Sequence, residues 1–254
     1  MHKNACLLLT FFLVVHSSFS QKTDTTKSIF HFKGAVTITT KGISFIPSFS
    51  LGKPAAIFDL SMGKRKLYFE PQLRFSLKGK PWSFLFWGRY KPITTEKFQL
   101  LAGTHLGLNF RNESISANGV PTTGLVVRRY LAAELAPAYF ISKNINMGVY
   151  YLYSRGLDKG TTNNTHFVTI NSNISINKPG SRFNARLTPQ LYYLALDARD
   201  GLFITSAISV SRSNLPLSVQ CIVNKSIETD IEGSEKFLWN ASLIYSFNKN
   251  YVRR

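Results

Sequence analysis

Eight ionisable side chains fall in the polar phase of a set of long alternating segments: Glu70, Arg74, Arg89, His105, Arg128, Glu134, Arg182 and Arg186. Three kinds of chemistry are open to such a set. Arginines exceed carboxylates, so an aqueous path lined by these groups would favour anions or acidic solutes. The same groups could instead pair with one another across a narrow interior and serve only as a structural core. Hydrolysis is the third option, and it needs His, Ser and a polar orienter close together. Beyond residue 20 the chain has only His31, His105 and His166. His166 has Asn164 nearby, but Ser172 stands six residues on, about 20 Å along a strand. That is too far for a hydrogen bond, so no catalytic residue is expected. Nor is there a His/Cys/Asp/Glu group at ligand spacing, a Gly-rich phosphate loop or a nucleophile elbow. No metal or cofactor is expected, and Asp230 and Glu232 read as a solvated loop.

The elements that position those eight residues are strands. In one segment Phe237, Trp239, Ala241, Leu243, Tyr245 and Phe247 alternate with Leu238, Asn240, Ser242, Ile244 and Ser246. Successive side chains of a strand point to opposite faces, so one face is strongly apolar. The same alternation runs through residues 67–78, 98–110, 168–177 and 182–193, with Asn, Ser, Thr and Arg on the opposite face. A soluble β-sandwich also alternates, but its strands have about five or six residues. Membrane barrel strands need about nine to eleven. Aromatics bracket several segments, as Phe98 and Phe110, Phe183 and Tyr193, and Phe237 and Phe247 do. Ten residues at about 3.4 Å each, tilted by about 40°, project to roughly 26 Å. An outer-membrane barrel has an apolar band about 25 Å tall with aromatic girdles at its edges.

Twelve strands are predicted: 43–51, 55–62, 67–77, 82–90, 97–110, 122–140, 145–155, 165–177, 182–197, 201–212, 216–226 and 236–247. The longest connections, 111–121, 156–164 and 227–235, then share one side, opposite short turns at 142–144, 178–180 and 213–215. Long loops outside and short periplasmic turns are the outer-membrane pattern. The expectation is an all-β, transmembrane, antiparallel up-and-down barrel over 43–254, with both termini in the periplasm. Residues 21–42 are left with three places: an extra strand, a plug in the lumen, or the periplasm. Pro47, Pro71, Pro137 and Pro189 lie inside proposed strands, where each removes a ladder donor. Bulges or lumen waters are expected there.

Residues 1–20 read as a cleaved signal peptide, with Lys3, an apolar run over 5–15 and Ser18-Phe19-Ser20 before Gln21. That run is too short for a spanning helix, which needs about twenty residues. Cys221 is then the only remaining cysteine, so the exported chain has no internal disulfide. Thirty-one Lys and Arg face thirteen Asp and Glu, a net charge of +18 that implies an anionic partner. The basic residues do not form a nucleic-acid patch. Lys64, Arg65, Lys66, Lys78, Lys80, Lys91, Lys143, Lys178 and Lys249 stand at segment ends, where they would meet lipid and lipopolysaccharide phosphates.

Residues 42–55, Gly-Ile-Ser-Phe-Ile-Pro-Ser-Phe-Ser-Leu-Gly-Lys-Pro-Ala, resemble the first hairpin of Bacteroidota outer-membrane β-barrel proteins. Residues 79–90 and the terminal Leu243-Ile-Tyr-Ser-Phe247 share that likeness, although the chain continues to Arg254. The resemblance implies location and fold, and supplies no catalytic residues. The leading function is a non-enzymatic small pore or solute channel with an anion preference. The alternatives are a lipid-modifying barrel enzyme and a soluble secreted β-protein that binds acidic glycans.

Overall fold

The computed structural model describes residues 29–44, 49–117, 120–177 and 180–252; residues 1–20, expected to be a signal peptide, lie outside them. Twelve strands run in order: β1 (Ile29–Thr39), β2 (Ala55–Lys64), β3 (Leu67–Ser76), β4 (Pro81–Thr94), β5 (Phe98–Ala117) and β6 (Val120–Phe140). They continue as β7 (Ile145–Gly156), β8 (Asn164–Asn177), β9 (Phe183–Leu196), β10 (Arg199–Arg212), β11 (Leu217–Thr229) and β12 (Phe237–Val252). Each pairs antiparallel with its chain neighbours, and β1 closes on β12 from Ile29↔Val252 to Thr39↔Ser242. Closure leaves no unpaired edge, the condition for a sheet in a solvent that offers no hydrogen bonds.

The barrel therefore begins at Ile29, and residues 29–39 form its first strand. Of the strand expected at 43–51, the described residues 43–44 and 49–51 are not strand and lie between β1 and β2. His31, Phe32, Lys33 and Gly34 obscure the alternation at the start of β1, whereas its ladder to β12 is continuous. The two errors cancel in the count, and β2 to β12 occupy the segments expected of them.

Alternation decides the faces. Leu131, Leu135, Ile170, Leu191, Ile204, Val219, Trp239 and Leu243 are exposed on the outside, while Thr165, Phe167, Thr169, Tyr192, Leu194 and Phe203 are buried within. An apolar outside and a mixed inside is the reverse of a soluble β-protein. Exposed aromatics collect at both edges: Tyr90, Tyr139, Phe183 and Tyr245 towards the end with the termini, and Tyr151, Tyr193 and Phe237 towards the other.

The connections differ between the two ends. At the terminus end the described turns span residues 65–66, 95–97, 141–144, 180–182 and 213–216. At the far end residues 40–54, 157–163 and 230–236 form the long ones. Residues 111–121, expected as a loop, are largely strand: β5 and β6 pair continuously from Phe98↔Tyr139 to Ala117↔Val120. In the tight turn after β2, Arg65 takes φ 56°, and the primed two-residue turn that suits a twisted hairpin needs such a conformation.

The strand prolines act differently from expectation. Pro47 lies outside the described residues. At Pro71 the β2–β3 ladder lapses between Asp59↔Gln72 and Met62↔Phe69, yet resumes in the same register. Pro137 does the same between Leu135↔Tyr151 and Ala138↔Gly148, and Pro189 between Asn171↔Gln190 and Ile174↔Leu187. A missing N–H opens the ladder on one side without inserting a residue, so none of the three makes a bulge. The register shifts lie elsewhere, at Arg74/Phe75, Tyr90/Ile93 and Leu202/Phe203.

At the far end, residues 157–163 are fastened by one ion pair. Asp158 accepts from the Arg129 backbone N–H at 2.6 Å and from its guanidinium at 2.7 Å. The Arg129 side-chain hydrogen bonds, then its backbone N–H, hold the Asp158 carboxyl below the usual carboxylate range. A carboxyl whose folded pKa is depressed contributes order above its unfolded value, about 3.9, and loses it as pH falls through the lower folded value. Amide exchange over 157–163 is therefore expected to stay slow from neutral pH down to about 3.9 and to accelerate only below it. Intrinsic-rate-corrected protection that declines already near neutrality would contradict this.

Candidate functional site

The interior is built from two unlike walls. One carries the charges. Arg89 on β4 donates from Nε to Glu134 Oε1 at 2.6 Å and from a terminal nitrogen to Oε2 at 3.1 Å, a bidentate pair. Its other terminal nitrogen donates to Glu70 on β3. Ser61 on β2 donates to Glu70 at 2.7 Å, and the Tyr150 hydroxyl on β7 donates to Glu134 at 2.8 Å. The Arg89 guanidinium also lies over the Trp87 ring, 4.4 Å from its centroid. This belt links strands β2 to β7 along the wall.

One glycine permits it. Gly103 on β5 stands between Arg89 and Glu134 in the registers of both neighbours. A Cβ there would come within 2.5 Å of Glu134 Oε1 and 3.1 Å of Arg89 Cγ. Any side chain at 103 would hold the two charged groups apart.

The opposite wall is apolar towards the far end. Phe167, Tyr192, Leu194, Phe203 and Ile231 form a buried cluster, against which Phe49, Tyr150, Leu152 and Leu196 pack. Tyr192 stacks on Phe203 with centroids 4.8 Å apart and planes 10° from parallel. Phe49 belongs to the β1–β2 connection and reaches into the lumen. The Trp82 indole N–H donates to the Phe49 carbonyl at 2.7 Å, and the Phe49 ring meets Tyr130 edge-on at 4.9 Å. Gly42 lets this connection close on itself, because a Cβ there would fall 2.8 Å from Leu51 Cβ.

Between these walls the free space forms a series. At the terminus end one cavity of about 460 Å³ is bounded by Lys33, Asp59, Glu70, Gln72 and Arg89. A second, of about 630 Å³, is bounded by Asn184, Arg186, Ser209 and Gln220. The middle holds a cavity of about 260 Å³, which shares Gln72 and Arg89 with the first. It shares Phe49 and Asn109 with a mouth of about 720 Å³ at the far end, edged by Lys53, Lys78, Lys80 and Arg111.

Of the eight charged residues expected from sequence, Glu70, Arg89 and Glu134 meet in the belt. Arg74 and His105 line the middle cavity, His105 against Trp87 with centroids 4.1 Å apart. Arg128 pairs with Glu113 in the long β5–β6 hairpin. Arg186 lines a terminus-end cavity, and Arg182 sits in the turn before β9. Sequence reasoning missed Asp59, Tyr150, Trp82, Trp87 and the apolar cluster. Leu152, Phe167, Tyr192, Leu194 and Phe203 all fall in the otherwise polar phase of β7 to β10, and those breaks in the pattern were the available signal.

No triad forms around the histidines. His31 meets Asn250 at 2.8 Å, and His166 shares a hydrogen bond with the Tyr151 hydroxyl at 2.9 Å. Among the described residues none of the three touches both a serine hydroxyl and a carboxylate.

No protein-family model matches this chain, and no curated protein does. Solved structures do. The KdgM porin superposes with a TM-score of 0.54 at 9% identity, covering 85% of this chain and 99% of that one. The fold is that of an outer-membrane β-barrel. The NanC porin gives a TM-score of 0.50 at 13% identity, covering 87% of this chain and 100% of its own. A further KdgM structure, in complex with disordered oligogalacturonate, gives 0.52 at 8% identity over 85% of this chain and 99% of that chain. At such identities the likeness concerns architecture alone.

Proposed function

We propose that this chain is exported past its signal peptide into an outer membrane and forms a narrow, non-enzymatic pore that favours small anionic solutes. The observation that carries the reading is the row of separate cavities along the barrel, in which neighbours share a wall residue, Arg89 below the middle cavity and Phe49 above it. The basic mouth edged by Lys53, Lys78, Lys80 and Arg111 supports the anion preference, because a cleft of one sign raises the local concentration of its counterion. Arg186 does the same at the other end. The belt carboxylates share the single Arg89 and keep one net negative charge between them, so the anion preference rests on the two basic mouths. Both similar barrels are titled porins, in keeping with this reading. The likeness of residues 79–90 and 243–247 to Bacteroidota barrels is part of the same proposal. So are the periplasmic termini and the contact of rim lysines with lipopolysaccharide phosphates.

The first test is migration on a gel of protein from detergent-solubilised outer membranes, faster unheated than boiled for a closed barrel. Planar-bilayer current then reads the pore. Replacing both Arg182 and Arg186 by Glu turns two cations at one mouth into two anions. The anion-to-cation permeability ratio is expected to fall at least roughly twofold. An unchanged reversal potential in a folded double variant would remove the anion preference.

A further inference from the structure

The middle cavity is lined by polar groups that the protein leaves unanswered. Arg74 Nε, Ser83 Oγ, His105 Nδ1 and Asn109 Oδ1 are all buried and have no hydrogen-bond partner among the described residues. All four residues line the same space of about 260 Å³. Ser83, His105 and Asn109 are at most 8% exposed. Buried polar atoms are nearly always paired, and each unpaired one costs about 1–3 kcal/mol. Four around one cavity, on the adjacent strands β3, β4 and β5, constitute a set.

Their chemistry differs in kind. Arg74 offers donors and a positive charge. Its only direct partners are Gln72 Oε1, at 3.1 Å, and the Trp82 face, 5.4 Å from its carbon. No carboxylate forms an ion pair with it among the described residues, although Asp59 acts on it through space. A guanidinium removed from water without a paired anion is unfavourable, and an anion placed at Nε would relieve it. Asn109 Oδ1 can only accept, so it calls for a donor. His105 Nδ1 and the Ser83 hydroxyl can each take either part. Apolar surfaces from Trp87, Phe49, Tyr130 and Phe167 complete the lining.

We infer that the middle cavity is a binding site for a small carboxylate that carries a hydroxyl group on a flat apolar body. The carboxylate lies against Arg74, the hydroxyl meets Asn109 or His105, and the body lies among the rings. A volume of about 260 Å³ corresponds to roughly nine waters at about 30 Å³ each, which suits a molecule of about ten non-hydrogen atoms. The site relies on the pore reading only for access, and occupancy can be measured without current.

The test uses the detergent-solubilised full barrel with 4-hydroxybenzoate as probe, read by quenching of Trp82 and Trp87 fluorescence. Wild-type protein is expected to quench saturably, with 4-hydroxybenzyl alcohol at least roughly tenfold weaker for lack of the charge-assisted bond. Arg74→Gln should weaken the hydroxybenzoate by at least roughly tenfold, while Lys143→Gln, in the β6–β7 turn, should not change it. If Arg74→Gln loses the heat-modifiable form, Asn109→Ala decides: it should weaken 4-hydroxybenzoate more than benzoate. Sodium chloride at matched ionic strength should not reproduce the quenching. Non-saturating titration, equal binding of the neutral alcohol, or an unaffected folded Arg74→Gln protein would overturn the site. Saturable binding without bilayer current would support the site and remove the pore; current without saturable binding would do the reverse.

Discussion

Replacing Arg89 by methionine is expected to lower the unfolding free energy of the barrel in lipid by about 3–5 kcal/mol, the usual consequence of removing one partner of a buried ionic group. Two carboxylates depend on this one guanidinium. Glu134 has a fully buried side chain and takes both of its charge-assisted bonds from Arg89, and Glu70 is 17% exposed. Removing the cation leaves Glu134 with only the Tyr150 hydroxyl and Glu70 with only that of Ser61. The triple variant Arg89→Met, Glu70→Gln and Glu134→Gln should recover most of the loss. Replacing a whole buried ionic group by neutral residues is often tolerated, whereas breaking one is not. The measurement is a reversible urea titration in lipid vesicles. A single variant within about 1 kcal/mol of wild type would show that water in the lumen already solvates both carboxylates, as it does at exposed pairs.

Replacing Phe49 by alanine should raise single-channel conductance severalfold with little effect on insertion. Among the described residues, Phe49 is the lumen aromatic that comes from a connection rather than a strand, and it lines both the middle cavity and the far-end mouth. Its ring packs against Tyr130 with the Arg111 guanidinium 5.7 Å from its centroid. An apolar ring at a narrow point resists water, and so ions, more than its volume implies. Its backbone is held separately by the Trp82 indole, so truncating the ring should leave the path of the connection in place. Planar-bilayer recordings of the folded variant decide the matter. Unchanged conductance would place the narrowest point elsewhere, with the Arg89 belt the next position to alter.

The strands themselves were legible because lipid and water impose opposite demands on alternate residues. Runs such as Phe237 to Phe247 could satisfy both only in one phase. Length separated membrane strands from sandwich strands, and loop parity separated the two ends. Legibility failed where alternation was interrupted. Residues 29–39 read as strand-like, but their place in the barrel stayed open among an extra strand, a plug and the periplasm, because Lys33 and Gly34 weaken the pattern; Ser44 and Phe49 belong to a pattern that imitates a strand, yet they lie in a connection. The bulges expected at Pro71, Pro137 and Pro189 do not form, because sequence shows a missing donor but not which side of the ladder it faces.

By itself the sequence determined an antiparallel barrel of about twelve strands, its lipid face, its unequal ends and the inward phase of Glu70, Arg89, His105, Glu134 and Arg186. The reason is local: a period of two is set by each residue's own backbone. Which charges meet was decided only by the tertiary structure. Arg89 and Glu134 come from strands separated by β5, and they touch because the register sets Gly103 between them. Register depends on pairing between strands distant in sequence, and the pattern of one strand does not contain it. The same holds for Arg74, Ser83, His105 and Asn109. Each reads as an ordinary inward polar residue, and only barrel closure and the placement of Phe49 set them unpartnered around one cavity.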